Sequence, residues 1–155
     1  VNAAPYIAVV GPSDASQQDL HDAESVGRAL ALGGATVLTG GLGGVMAAAC
    51  RGAAGAGGVT VGILPGLERH AANEWVAVAI PTGLGELRNG LLVRSADVVV
   101  AVGGAYGTLS EVALALKTGV RVVGLHTWAI DGIEHVDSAA AAAARALEPV
   151  AAPRR

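Results

Sequence analysis

VGGAYGTLSE (102–111) joins an apolar run, DVVVAV (97–102), to a segment with the spacing of a helix, 107–118. A run so continuously apolar does not suit a strand with one wet face; it fits a parallel sheet covered on both sides. A strand that passes into a helix through a glycine-rich turn is the repeating unit of such sheets.

The same unit recurs along the chain. YIAVV (6–10), ATVLT (35–39), VTVGIL (59–64), VAVAI (76–80) and RVVGL (121–125) are further short apolar runs, and 16–32, 43–56, 84–95 and 137–148 carry helical spacing. This alternation predicts an α/β fold: one doubly wound, Rossmann-like parallel sheet with helices on both faces and right-handed crossovers, spanning 1–155 as one domain. Asp137 reads as the N-cap of the last helix and Pro149 as its stop. The segment 65–75, PGLERHAANEW, is the longest irregular piece.

Composition agrees. Hydrophobic residues make up 52% of the 155, yet aromatics are only 3%, so alanine and glycine carry the excess and allow close packing of helix on sheet. The formal charge of −3 and the scattered basic residues, paired only at Arg154 and Arg155, lack the basic stripe of a nucleic-acid surface. Cys50 is the single cysteine, which excludes an intrachain disulfide and points to a reducing, cytoplasmic setting. No run reaches about 18 apolar residues and no leader pattern opens the chain, so neither membrane contact nor targeting is expected. His21, His70, His126 and His135 show no ligand spacing, and no metal site is expected.

Ligands of open α/β sheets sit beyond the carboxyl ends of the strands, so four loops matter. GPSDAS (11–16) offers Gly11 for a tight turn, the Ser13 hydroxyl, and Asp14 or Ser16 as a helix cap. TGGLGGVM (39–46) brings four glycines, Gly41 and Gly43 among them, and Met46; bare glycine backbone can approach a ligand and aim amides at anionic oxygens. PTGLGELRNG (81–90) carries Arg88, suited to a phosphate or ribose, beside Asn89. In the opening stretch Gly103, Gly104 and Gly107 clear side chains from the turn, and the amides of Gly107 and Thr108 start a helix whose positive end favours an anion. Glu111 lies one turn further on. As a residue at N3 it could equally close a capping box with Thr108.

None of these loops reads GxxxxGK[ST] or GxGxxG, and Thr39 stands where a dinucleotide site places an acidic residue. NTPase and NAD-dependent dehydrogenase activities are therefore disfavoured.

The chain resembles the Lonely Guy (LOG) family of Rossmann-like nucleoside 5′-monophosphate phosphoribohydrolases, whose motif PGGxGTxxE is matched over Gly103–Glu111 and whose arginine falls on Arg88. It is similar more closely to the nucleotide-binding proteins related to the molybdenum cofactor carrier, through TGGLGGVMAAACRGA, IPTGLGELRN and VGGAYGTLSE. Relative to LOG, the motif's proline is Gly103, its second glycine is Ala105, and the lysine beside the arginine is Asn89.

The resemblance implies a purine nucleotide such as AMP bound at Gly11, Ser13, Gly41, Gly43, Met46, Arg88, Asn89, Gly104, Tyr106, Gly107 and Thr108, its phosphate on Gly104, Gly107 and Thr108. If the LOG chemistry is carried over, Arg88 and Glu111 are catalytic, stabilising an oxocarbenium-like ribose or activating water as the N-glycosidic bond breaks, with no metal or cofactor. The other implied function is a carrier that holds a nucleotide or the pterin phosphate of molybdenum cofactor unchanged. A homodimer is implied as well.

Overall fold

The computed structural model describes residues 3–149; Arg154 and Arg155 lie outside them. Seven strands form a single sheet: β1 (Tyr6–Val10), β2 (Thr36–Thr39), β3 (Thr60–Leu64), β4 (Val78–Pro81), β5 (Val98–Val102), β6 (Arg121–Leu125) and β7 (Ile133–His135). The order is β4-β3-β2-β1-β5-β6-β7, and every neighbouring pair is parallel. β5 is buried at all five positions because both faces are covered, the condition inferred from its unbroken apolar run.

Five helices do the covering. α1 (Gln17–Leu32), α2 (Val45–Gly55) and α5 (Ala139–Leu147) bury Val26, Leu30, Ala49 and Ala142 against one face, while α3 (Arg88–Ser95) and α4 (Tyr106–Thr118) bury Leu92, Val93, Val112 and Ala115 against the other. The small residues let α1 and α2 touch backbone to backbone: a Cβ on Gly27 would stand 2.0 Å from the Ala49 carbonyl oxygen, and one on Gly52 1.9 Å from that of Glu24.

The doubly wound α/β fold is as expected, with local corrections. β7 was not anticipated; its three residues are too few to carry a pattern, and they pair with β6 through Val122, Val123 and Gly124. Ser138, rather than Asp137, caps α5, its hydroxyl accepting from the Ala141 N–H at 3.1 Å. Of the two candidates before α1, Ser16 is the cap, accepting from the Asp19 N–H at 3.0 Å. Residues Gly85–Leu87, expected within a longer helix, form a separate 3-10 turn leading into α3.

Candidate functional site

The strand order reverses between β1 and β5, so the loops that follow these two strands stand at the carboxyl edge where ligands of open α/β sheets bind. They meet at their bases. A Cβ on Gly11 would come 2.3 Å from the Val102 carbonyl oxygen, so only glycine lets the β1 loop lie there. Gly103 turns the chain out of β5 with φ +69° while its N–H donates to the Leu125 carbonyl at 3.0 Å.

α4 begins at Tyr106, one residue earlier than its spacing suggested, which places Thr108 at N3. The Thr108 hydroxyl accepts from the Ala105 N–H at 3.3 Å and is buried. Thr108 is thus itself the capping side chain, and Glu111 lies beyond the first turn, so the capping-box reading of Glu111 fails. Gly104 and Gly107 are exposed, and a Cβ on Gly107 would meet nothing within 4 Å.

Glu111 is instead buried opposite Arg88, with Arg88 Nη1 3.9 Å from Glu111 Oε1. Burial pushes the Glu111 carboxyl up to about 7, the nearby guanidinium pulling the other way. Burial likewise lowers the Arg88 pKa, while Glu111 and Glu86 oppose the shift. The guanidinium also donates through Nη1 to the Asn89 side-chain oxygen and through Nη2 to the Gly40 carbonyl at 3.3 Å. Asn89 in turn donates to the Ser110 hydroxyl at 2.9 Å, which donates to the Gly107 carbonyl at 2.9 Å. A chain of hydrogen bonds therefore runs from the glycine loop after β2, through the start of α3, to the first turn of α4.

That glycine loop is held from both ends. Gly41, at φ +79°, donates its N–H to the Thr39 hydroxyl at 3.1 Å, so Thr39 serves its own loop. The Asn73 amide donates to the carbonyls of Leu42 at 2.9 Å and Gly41 at 3.3 Å, fastening the long 65–75 segment across it. Gly43 is exposed with open space around it, whereas Met46 is buried with its sulfur beneath Gly40.

The fold thus gathers Arg88, Asn89, Glu111 and Met46 beneath Gly40, and Gly104, Tyr106, Gly107 and Thr108 around the start of α4. Ser13 is exposed and opens on a separate cavity of about 320 Å³ that it shares with Asp14, Arg51 and Trp75. Gly40, Asn73, Ser110 and Trp128 escaped the sequence reading. Asn73 and Trp128 act on loops more than twenty residues away, a relation with no local signal; Ser110 could have been found from its place in the motif. Among the described residues no three His, Cys, Asp or Glu side chains converge as a metal site, and no helix is long and apolar enough to cross a membrane.

Comparison with known proteins accords with this architecture. A molybdenum cofactor binding protein from the phototrophic bacterium Rippkaea orientalis is 40% identical and superposes with a TM-score of 0.85, covering 90% of this chain and 93% of that one. The molybdenum cofactor carrier protein of Chlamydomonas reinhardtii is 37% identical, with a TM-score of 0.84 over 92% and 96% of the two chains. An uncharacterized protein of Archaeoglobus fulgidus shares 41% identity over 119 residues, 77% of this chain and 78% of its own. The resemblance read from the motifs, to LOG proteins and to the cofactor carriers, is the relationship found. Residues 4–152 match the model of the SLOG cluster4 family, and the chain belongs to that family.

Proposed function

We propose that the chain binds a phosphorylated small molecule bearing a heterocycle, an AMP-like nucleotide or the phosphorylated pterin of molybdenum cofactor, and holds it without covalent change. The observation that carries the reading is the start of α4 at the strand-order reversal. There, Gly104 and Gly107 are exposed and add no side chain of their own at the positive end of a 13-residue helix, and a Cβ on Gly107 would meet nothing within 4 Å. Arg88 adds a second support: its Nε is buried without a partner among the described residues, a donor left over for a ligand oxygen. The near full-length likeness to two proteins described as binding or carrying molybdenum cofactor favours that cargo.

A second reading, hydrolysis of a nucleoside 5′-monophosphate, is favoured by the buried Arg88 and Glu111 pair. A carboxyl group near 7 can pass a proton in either direction at neutral pH. Water would add to C1′ of the ribose as the C1′–N bond breaks; its electron pair leaves with the base, which takes up a proton, while Glu111 accepts the proton of the attacking water.

Incubation of the purified protein with AMP separates the two. Saturable binding with no free adenine supports the carrier, whereas release of adenine that Glu111→Ala abolishes, with AMP affinity kept within a few fold, supports the hydrolase. Absence of AMP binding would overturn the hydrolase, and absence of binding to both AMP and neopterin monophosphate would overturn the carrier as well. The proposal extends to a homodimer, supported by Leu84 and Leu87 at the 3-10 turn and Leu91 in α3, all three exposed; sedimentation velocity tests it.

A further inference from the structure

We infer that Trp128 and Tyr106 form the aromatic wall on which the planar ring of the ligand stacks, a purine or pterin whose phosphate rests on the first turn of α4. The inference rests on the binding reading above and adds the recognition of the ring.

Tyr106 is the first residue of α4 and is 84% exposed, an unusual place for a large ring in a chain that has two tyrosines, two tryptophans and no phenylalanine. Half of its aromatic residues meet at this one edge and do not fill the core. The Tyr106 ring stacks on that of Trp128, with centroids 6.3 Å apart and planes inclined by 26°.

Trp128 is fixed, although it comes from the loop after β6. Its indole N–H donates to the Ala105 carbonyl at 3.1 Å. The ring lies so close to Gly104 that a Cβ there would stand 3.0 Å from Nε1 and 3.1 Å from Cδ1. The turn that brings it there is made at His126, whose φ of +55° is exceptional for a residue other than glycine, and whose imidazole lies 3.6 Å from the buried carboxylate of Asp22. A rigid indole and an exposed phenol therefore flank the amides of Gly104 to Thr108. Met46, the other apolar side chain expected near a ring, is buried beneath Gly40 and presents little face. Stacking on an aromatic side chain tolerates any flat heterocycle, which suits both purine and pterin.

The test uses three probes: AMP, neopterin monophosphate, and ribose 5-phosphate, which keeps the sugar and phosphate but lacks the ring. Calorimetric titration of the intact protein is expected to show tighter binding of at least one ring-bearing probe than of ribose 5-phosphate. Tyr106→Ala, on an exposed position that the fold does not need, and Trp128→Ala each weaken the ring-bearing probe about ten-fold and leave ribose 5-phosphate within about two-fold. Trp128→Phe keeps most of the preference. In a Trp75→Phe background Trp128 is the sole indole, and its fluorescence is quenched by the ring-bearing probe but not by ribose 5-phosphate. Equal loss for both kinds of probe, no loss, or ribose 5-phosphate bound as well as the others overturns the wall while leaving the cradle standing. Failure of all three probes to bind overturns the cradle and the wall together.

Discussion

Arg88 and Glu111 stand 3.9 Å apart, both buried, yet the shorter contacts of the guanidinium run to Asn89 and to the Gly40 carbonyl. Glu111 is thus near a cation without being directly bonded to it. Burial outweighs the attraction, and the carboxyl holds its proton to higher pH than an exposed one.

Its titration is expected to show in stability. Between the ordinary 4.5 and the folded value of about 7, the folded chain keeps a proton that the unfolded chain has released. The contribution is therefore fully present below about 4.5 and is lost as pH rises through 7, a span of about 3 kcal/mol. Glu111→Gln, which cannot ionise, flattens this part of the profile; thermal melts of the two proteins across that range check it, and parallel curves would count against a raised pKa.

Glycines of the core and of the site should respond in opposite ways. Gly27→Ala forces a methyl into the Ala49 backbone and is expected to cost about 3 kcal/mol in urea unfolding. Gly107→Ala meets open space inside a helix and should change stability by no more than about 0.5 kcal/mol, while lowering AMP affinity about ten-fold by covering the amides. Unchanged affinity in that variant would move the phosphate elsewhere.

At His126 the backbone sits in the left-handed region, so side chains can be ranked by conformation. His126→Gly is expected to be more stable than His126→Ala by about 1 kcal/mol, since neither can pair with Asp22 and only glycine accepts the positive φ without penalty. Denaturant midpoints of the two variants give the answer directly.

For α5, Ser138→Ala removes the hydroxyl that caps the helix and should cost about 1 kcal/mol, whereas Asp137→Ala should cost less than about half of that. The reverse order would restore Asp137 as the cap.

The sequence disclosed the elements with strong periodicity. β5 and its glycine turn showed plainly because burial on both faces leaves an unbroken apolar run, and the same logic found β1, β2, β3 and β6. β7 stayed hidden because three residues form no pattern. The start of α3 was blurred because Gly85 and Leu87 fit a helical register although they form a 3-10 turn. In the site, Arg88, Asn89, Glu111 and Thr108 stood out by chemistry, but the role of Glu111 depended on where α4 is capped, and a cap at Ala105, three residues before Thr108, leaves Glu111 beyond the first turn. Trp128 and Asn73 could not be read because they act across the fold rather than along the chain.

The Thr39 hydroxyl that receives the Gly41 N–H also lies 3.4 Å from the sulfur of Cys50, which is wholly buried and whose thiol pKa is raised chiefly by that burial. The glycine loop is therefore wired to the only thiol in the molecule. Modification of Cys50 must wait for that region to open, so the labelling rate acts as an internal clock for its breathing, readable without adding any probe to the protein.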